Sequence, residues 1–165
     1  MTTQPVHPNV LRRQAWMAVL AKSSLNGLSQ ALEKLQRVPS YRFLRSPETG
    51  LTMVRGRAGG TGQAFNLGEI TLTRCVVQLQ EEADEQGNPI TGFGYVGGRS
   101  HRHAELAALF DALLQHPEWF NIVSSQVIEP LQETIQCHRE KQQRQTEATR
   151  VNFFTMARAE TLERS

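Results

Sequence analysis

Residues 55–74, RGRAGGTGQAFNLGEITLTR, constrain the fold of this chain more than any other stretch. Five glycines (Gly56, Gly59, Gly60, Gly62 and Gly68) fall among three arginines and a single acid, Glu69. Apolar runs border the stretch, LTMV at 51–54 before it and CVVQL at 75–79 after. Glycine permits positive φ and close approach to the backbone, and the guanidinium of arginine forks onto phosphate or carboxylate. The stretch therefore reads either as an anion cradle or as a tightly folded structural loop pinned by ion pairs. As a cradle it would use the backbone N–H groups of Gly59, Gly60, Thr61 and Gly62, with Arg55, Arg57 or Arg74 as side-chain partners. It is not a P-loop, because no lysine occurs between Arg45 and Arg99, nor a dinucleotide fingerprint, because no helix follows.

The pattern on either side predicts an α+β domain. Residues 10–22 are helical, with Trp16, Val19 and Leu20 on one face. Ser24 caps a second helix with Leu25, Leu28, Leu32 and Leu35 at helical spacing, ended by Pro39. Together they form an N-terminal αα-hairpin that serves as a packing layer. Residues 41–45 and 51–57 read as two strands joined by the turn Pro47-Glu48-Thr49-Gly50. A third strand covers 69–80. Its apolar residues change parity, Ile70 and Leu72 against Cys75, Val77 and Leu79, so a bulge is expected near Thr73-Arg74 to restore one buried face. After an acidic turn, EEADEQGNP, a fourth strand covers 90–98. Its glycines (Gly92, Gly94, Gly97, Gly98) either weaken it or let something lie close to it. The sheet is thus about four-stranded and antiparallel.

Ser100 caps the third helix, 101–115. Leu106, Leu109, Phe110, Leu113 and Leu114 form its amphipathic face, and Ala104, Ala107, Ala108 and Ala112 make the remainder small. It is the candidate central helix, sandwiched between two layers. A fourth helix starts near Glu118 and is kinked or divided at Pro130. From 138 to 150 the only apolar residue is Ala148, yet Val151, Phe153, Phe154 and Met156 follow. If helical, the spacer carries that cluster about 20 Å. The cluster then either docks on another subunit, the reading preferred here, or folds back on its own sheet. The division expected is one domain over 1–138 and a docking helical extension over 139–165.

A second cationic cluster, Arg99-Ser100-His101-Arg102-His103, opens the third helix, where the dipole disfavours positive charge. An acidic neighbour or a bound anion would relieve it; otherwise the side chains splay into water. Arg99 and His103 join the candidate anion-binding residues on this ground. No third ligand accompanies His101 and His103, so no metal is expected. No nucleophile elbow and no H-E-x-x-H motif is present. Glu105 and Asp111 read as solvated or as structural ion pairs, and Glu48 and Glu69 as partners of arginine, so no catalytic residue is assigned.

Lys plus Arg is 18 and Asp plus Glu 16, a net charge of +2, too mild for bulk nucleic-acid binding. No run reaches the ~20 apolar residues of a membrane span. The N-terminus lacks a signal-peptide pattern, and Cys75 and Cys137 form no C-x-x-C pair. A reduced, cytoplasmic protein is expected.

Seven stretches, in order, resemble the PhnG family, the G subunits of bacterial carbon–phosphorus lyase core complexes: RQAWMAVLA at 13–21, PETGL at 47–51, GGTG at 59–62, FNLGEITLTRC at 65–75, GYVGGR at 94–99, HAELAALFDALLQ at 103–115 and RVNFFTMARAE at 150–160. The acidic segment around 81–88 and the longer C-terminus depart from the family pattern. The resemblance implies a role in phosphonate utilisation. With the H, I and L subunits, such a chain supports transfer of methylphosphonate to the ribose of MgATP. Adenine is released and α-D-ribose 1-methylphosphonate 5-triphosphate is formed. The I subunit, which carries the nucleosidase chemistry, is the closest partner expected, with H and J also in contact. No cofactor is implied on this chain; MgATP is a substrate of the complex, and an iron–sulfur cluster with S-adenosylmethionine belongs to the J subunit. The role implied is accessory, with direct contribution of phosphate-binding or acid–base residues as the alternative.

Overall fold

The computed structural model describes residues 8–35, 37–83 and 87–149. Val151, Phe153, Phe154 and Met156, and with them the expected docking cluster, lie outside the described residues. The elements are α1 (Pro8–Lys22), α2 (Leu25–Lys34), β1 (Tyr41–Arg57), β2 (Ala64–Ala83), β3 (Pro89–Gly97), α3 (His101–Leu113), α4 (Pro117–Val123) and α5 (Glu129–Ala148). A π-helical turn, Ser124–Ile128, joins α4 to α5. The class is α+β. The strands form one antiparallel sheet, ordered β1-β2-β3.

Three strands stand where four were expected, because 41–57 is one strand. Pro47-Glu48-Thr49-Gly50 makes no turn. Pro47 is absorbed in a register shift between Arg45 and Glu48, and a second shift lies between Phe43 and Arg45. β1 is an edge strand, where a proline costs no ladder bond on its open side, and β2 is long enough to pair along its whole length. The bulge expected in β2 near Thr73-Arg74 is likewise absent. The two irregularities at that level fall on the opposing stretch of β1, and β2 alternates from Ile70 to Leu79; the extra residue of β2 lies further along, where Val54 pairs with Gly68 and Arg55 with Asn66. Thr73, Cys75, Val77 and Leu79 are buried, whereas Ile70 and Leu72 belong to the opposite face.

α3 is the central element. It lies on the sheet through backbone contact: a Cβ on Gly92 would sit 2.0 Å from the Ala108 carbonyl oxygen, and one on Gly94 2.0 Å from that of Ala104. Gly92 and Gly94 thus serve close approach, matched by the alanines of α3. On its other side α3 meets α1, α2 and α4, and Leu106, Leu109, Phe110 and Leu113 are almost completely buried. Each such side chain contributes on the order of 2 kcal/mol through burial. α1 and α2 follow one another through Ser23 and Ser24, as expected, but pack mainly on α3 rather than as a mutual pair. Ser24 Oγ accepts from Gly27 N–H and Ser100 Oγ from His103 N–H, the caps foreseen for α2 and α3.

The helix changes character just ahead of Pro130: α4 ends at Val123, a π-helical turn occupies Ser124–Ile128, and α5 begins at Glu129 with Pro130 in its first turn. A wider turn absorbs the loss of the proline N–H and the bulk of its ring. α5 has no buried residue.

Candidate functional site

The glycine-rich stretch is the tip of a long arm. β3 pairs with β2 only as far as Leu72↔Gly97, whereas β1 and β2 pair on to Arg57↔Ala64. Beyond Gly50 the two strands project by about seven residues, roughly 23 Å. At the tip Gly59 and Gly60 adopt φ of 60° and 79°. The N–H groups of Thr61 and Gly62 both bond to the Ala58 carbonyl, and Arg57 Nη1 donates to the Gly62 carbonyl at 3.2 Å. The tip is therefore largely closed by its own hydrogen bonds. Arg55 makes no ion pair among the described residues.

The remaining candidate cations are elsewhere. Arg74 lies about nine strand positions from the tip, roughly 30 Å. Its Nε is 2.6 Å from Glu48 Oε1, which also holds Arg45 Nη1 at 3.0 Å. The hydrogen bond from Arg74 pulls the Glu48 carboxyl below its usual range. Arg99 follows Gly98, whose N–H donates to the Thr71 carbonyl at the base of the arm. Arg99 is exposed and unpaired among the described residues. His103 is inside, its Nε2 3.0 Å from the Leu20 carbonyl oxygen. The structure thus brings Arg55, Arg57 and the glycines together at the tip, and sets Arg74, Arg99 and His103 apart from them.

The cations at the start of α3 are largely answered from within. Arg102 Nη1 is 2.9 Å from Glu105 Oε1, to which the Tyr41 hydroxyl also donates at 2.6 Å. Burial and the bond to Glu105 push the Tyr41 phenol up to about 12. His101 Nε2 is 3.1 Å from Thr49 Oγ1, which in turn is 3.0 Å from Thr73 Oγ1.

The most connected polar residue is Asp111, fully buried on α3. It accepts from Arg13 Nε (3.2 Å) and Nη2 (2.7 Å), from Trp16 Nε1 (2.8 Å) and from the backbone N–H of Phe93 (2.9 Å). Arg13 Nη2 and Gln115 Nε2 also donate to the Thr91 carbonyl. These side chains occupy the outward backbone groups at the middle of edge strand β3. Reading the sequence alone offers Asp111 a structural ion pair but no partner. The signal was present in the two stretches RQAWMAVLA and HAELAALFDALLQ, which carry all four side chains.

No group of three His, Cys, Asp or Glu among the described residues is placed to hold a metal ion. Burial raises the Cys75 thiol to about 11, which makes it a poor nucleophile. No helix among the described residues is long and apolar enough to cross a membrane.

Fold and site together define a small α+β chain with a projecting hairpin and no assembled catalytic set among its described residues. The family model described as "Phosphonate metabolism protein PhnG" matches residues 11–159. A protein of Rhizobium meliloti (strain 1021), alpha-D-ribose 1-methylphosphonate 5-triphosphate synthase subunit PhnG, is 38% identical over 155 residues, covering 92% of each chain. The chain belongs to the PhnG family.

Proposed function

We propose that this chain is an accessory subunit of the carbon–phosphorus lyase complex of phosphonate utilisation. In that role it supports transfer of methylphosphonate to the ribose of MgATP, with release of adenine. The relative in Rhizobium meliloti is named as a subunit of the synthase that makes α-D-ribose 1-methylphosphonate 5-triphosphate. The observation that carries an accessory role is the use already made of the buried polar groups. Asp111 and His103 are bound to groups of their own chain, and no buried side-chain nitrogen or oxygen among the described residues lacks a partner. In this reading the chain works in the cytoplasm and holds no cofactor. It meets the I, H and J subunits, with L joining for the transferase step, and residues 139–165 dock on a partner through Val151, Phe153, Phe154 and Met156.

A second reading, direct binding of phosphate, is favoured by Arg55 and Arg99, which are exposed and without ion pairs among the described residues. Co-expression with the other subunits, followed by size-exclusion chromatography and a turnover assay, separates the two. In the accessory reading, Arg55→Ala and Arg99→Ala complexes that assemble normally also turn over normally. Intact assembly with turnover lost transfers the role to phosphate binding. A wild-type chain that elutes alone beside its co-expressed partners rules out both.

A further inference from the structure

The projecting arm carries more apolar surface than its own domain can use. On one face, the register puts Leu51 and Met53 in line with Thr49, beside which α3 begins. α3 does not extend over them, and they are 68% and 47% exposed. On the other face lie Phe65, Leu67 and Ile70, at 48%, 61% and 48%. Leu67 folds over Gly56, where a Cβ would meet its Cδ1 at 2.7 Å. A two-stranded hairpin is marginal in water by itself, and solvated sheets ordinarily keep apolar side chains to one face. This arm displays them on both.

We infer that the arm inserts into an apolar cleft on a different subunit of the complex, with carboxylates of that subunit facing Arg55 and Arg57. This rests on the subunit reading above. The charge pattern selects the occupant. β1 carries Arg42, Arg45, Arg55 and Arg57 against one acid, Glu48, and that acid is already held by Arg45 and Arg74. A second copy of the arm would bring the same cations, and like charges facing one another across strands are destabilising. An apolar cleft whose wall bears carboxylates answers both the cations and the apolar surface, and a tip largely closed by its own hydrogen bonds presents less bare backbone to it.

The test uses the full chain co-expressed with the remaining subunits. Photo-crosslinking residues are placed at Leu51 and Leu67, one on each face, and at exposed Glu33 on α2 as a control. Separately, the variants Leu51→Ser/Leu67→Ser and Arg55→Glu/Arg57→Glu are compared with wild type in thermal midpoint and in affinity for the partners. Crosslinks from both arm positions to another subunit are expected. So is at least a tenfold loss of affinity in each variant with an unchanged midpoint, and the effect of charge reversal should shrink in high salt. Unchanged affinity overturns the inference, and so do arm crosslinks to a second copy of this chain or to this chain itself. If wild type fails to assemble with any subunit, the subunit reading falls first and this inference with it.

Discussion

Arg13 Nη2 lies 2.7 Å from Asp111 Oδ2, although the residues are 98 apart in sequence. Asp111 is completely buried and Arg13 partly so. Removing one member of such a pair leaves an uncompensated group and typically costs 3–5 kcal/mol. Asp111→Ala also strips the Trp16 indole and the Phe93 amide of their acceptor. It is expected to lose about 3 kcal/mol or more in urea unfolding of the isolated chain. A loss below about 1 kcal/mol would mean the carboxylate is dispensable.

Gly94 and Gly97 lie three residues apart on β3 and differ in surroundings. A Cβ at Gly94 meets the backbone of Ala104, which no rotamer change can relieve, whereas one at Gly97 meets nothing within 4 Å. Gly94→Ala should cost about 1–3 kcal/mol or more by forcing α3 off the sheet. Melting would fall by roughly 5 °C. Gly97→Ala should melt within about 1 °C of wild type on the same scale. Equal melting of the two variants would contradict the close packing.

Tyr41 and Cys75 make the fold sensitive to alkali. Burial, aided by the bond to Glu105, raises Tyr41 from 10.0 to about 12, and burial raises Cys75 from 9.0 to about 11. Both folded values lie above the unfolded ones. The stability contributed by the neutral forms is thus fully present below pH 9.0 and is lost as pH rises through about 11 and then about 12. Thermal midpoints measured upward from pH 9.0 should fall, and Tyr41→Phe should flatten the upper part of that decline. A parallel decline in the variant would remove Tyr41 as its source.

The two thiols should differ in the native state. Cys137 is exposed and Cys75 buried. A thiol reagent at about pH 8, where accessible thiolate controls the rate, should titrate one group at once and the second only after unfolding. Two rapid equivalents would show that the sheet opens over Cys75.

Truncation after Thr146 removes the end of a helix with no buried residue together with the apolar cluster that follows. The truncated chain should keep its circular dichroism and melting temperature within about 2 °C, because surface changes are usually near neutral. It should fail to co-elute with co-expressed partners. Co-elution at wild-type yield would deny the tail a docking role.

Much of the core was legible from spacing. α3 followed from Leu106, Leu109, Phe110 and Leu113, its cap from Ser100, and its sandwiched position from the alanines. Local patterns failed where a distant partner decided the outcome. Pro47-Glu48-Thr49-Gly50 has the composition of a turn, yet the length of β2 holds it in a strand. Ile70 and Leu72 have the parity of exposed residues, and the assumption that apolar residues must be buried hid that fact. For the candidate site, the tip could be read from its glycines. The commitment of Arg74 to Glu48 and of His103 to Leu20 arises from tertiary contacts that no local motif encodes.

The side chains that occupy the Phe93 amide and the Thr91 carbonyl blunt the middle of the β3 border, while the border along β1 carries no such cover among the described residues. Over the three-stranded part of the sheet, edge-to-edge joining through β3 is therefore disfavoured and joining through β1 is not. The asymmetry discourages filament growth through the body of the sheet while leaving one place there for a neighbour.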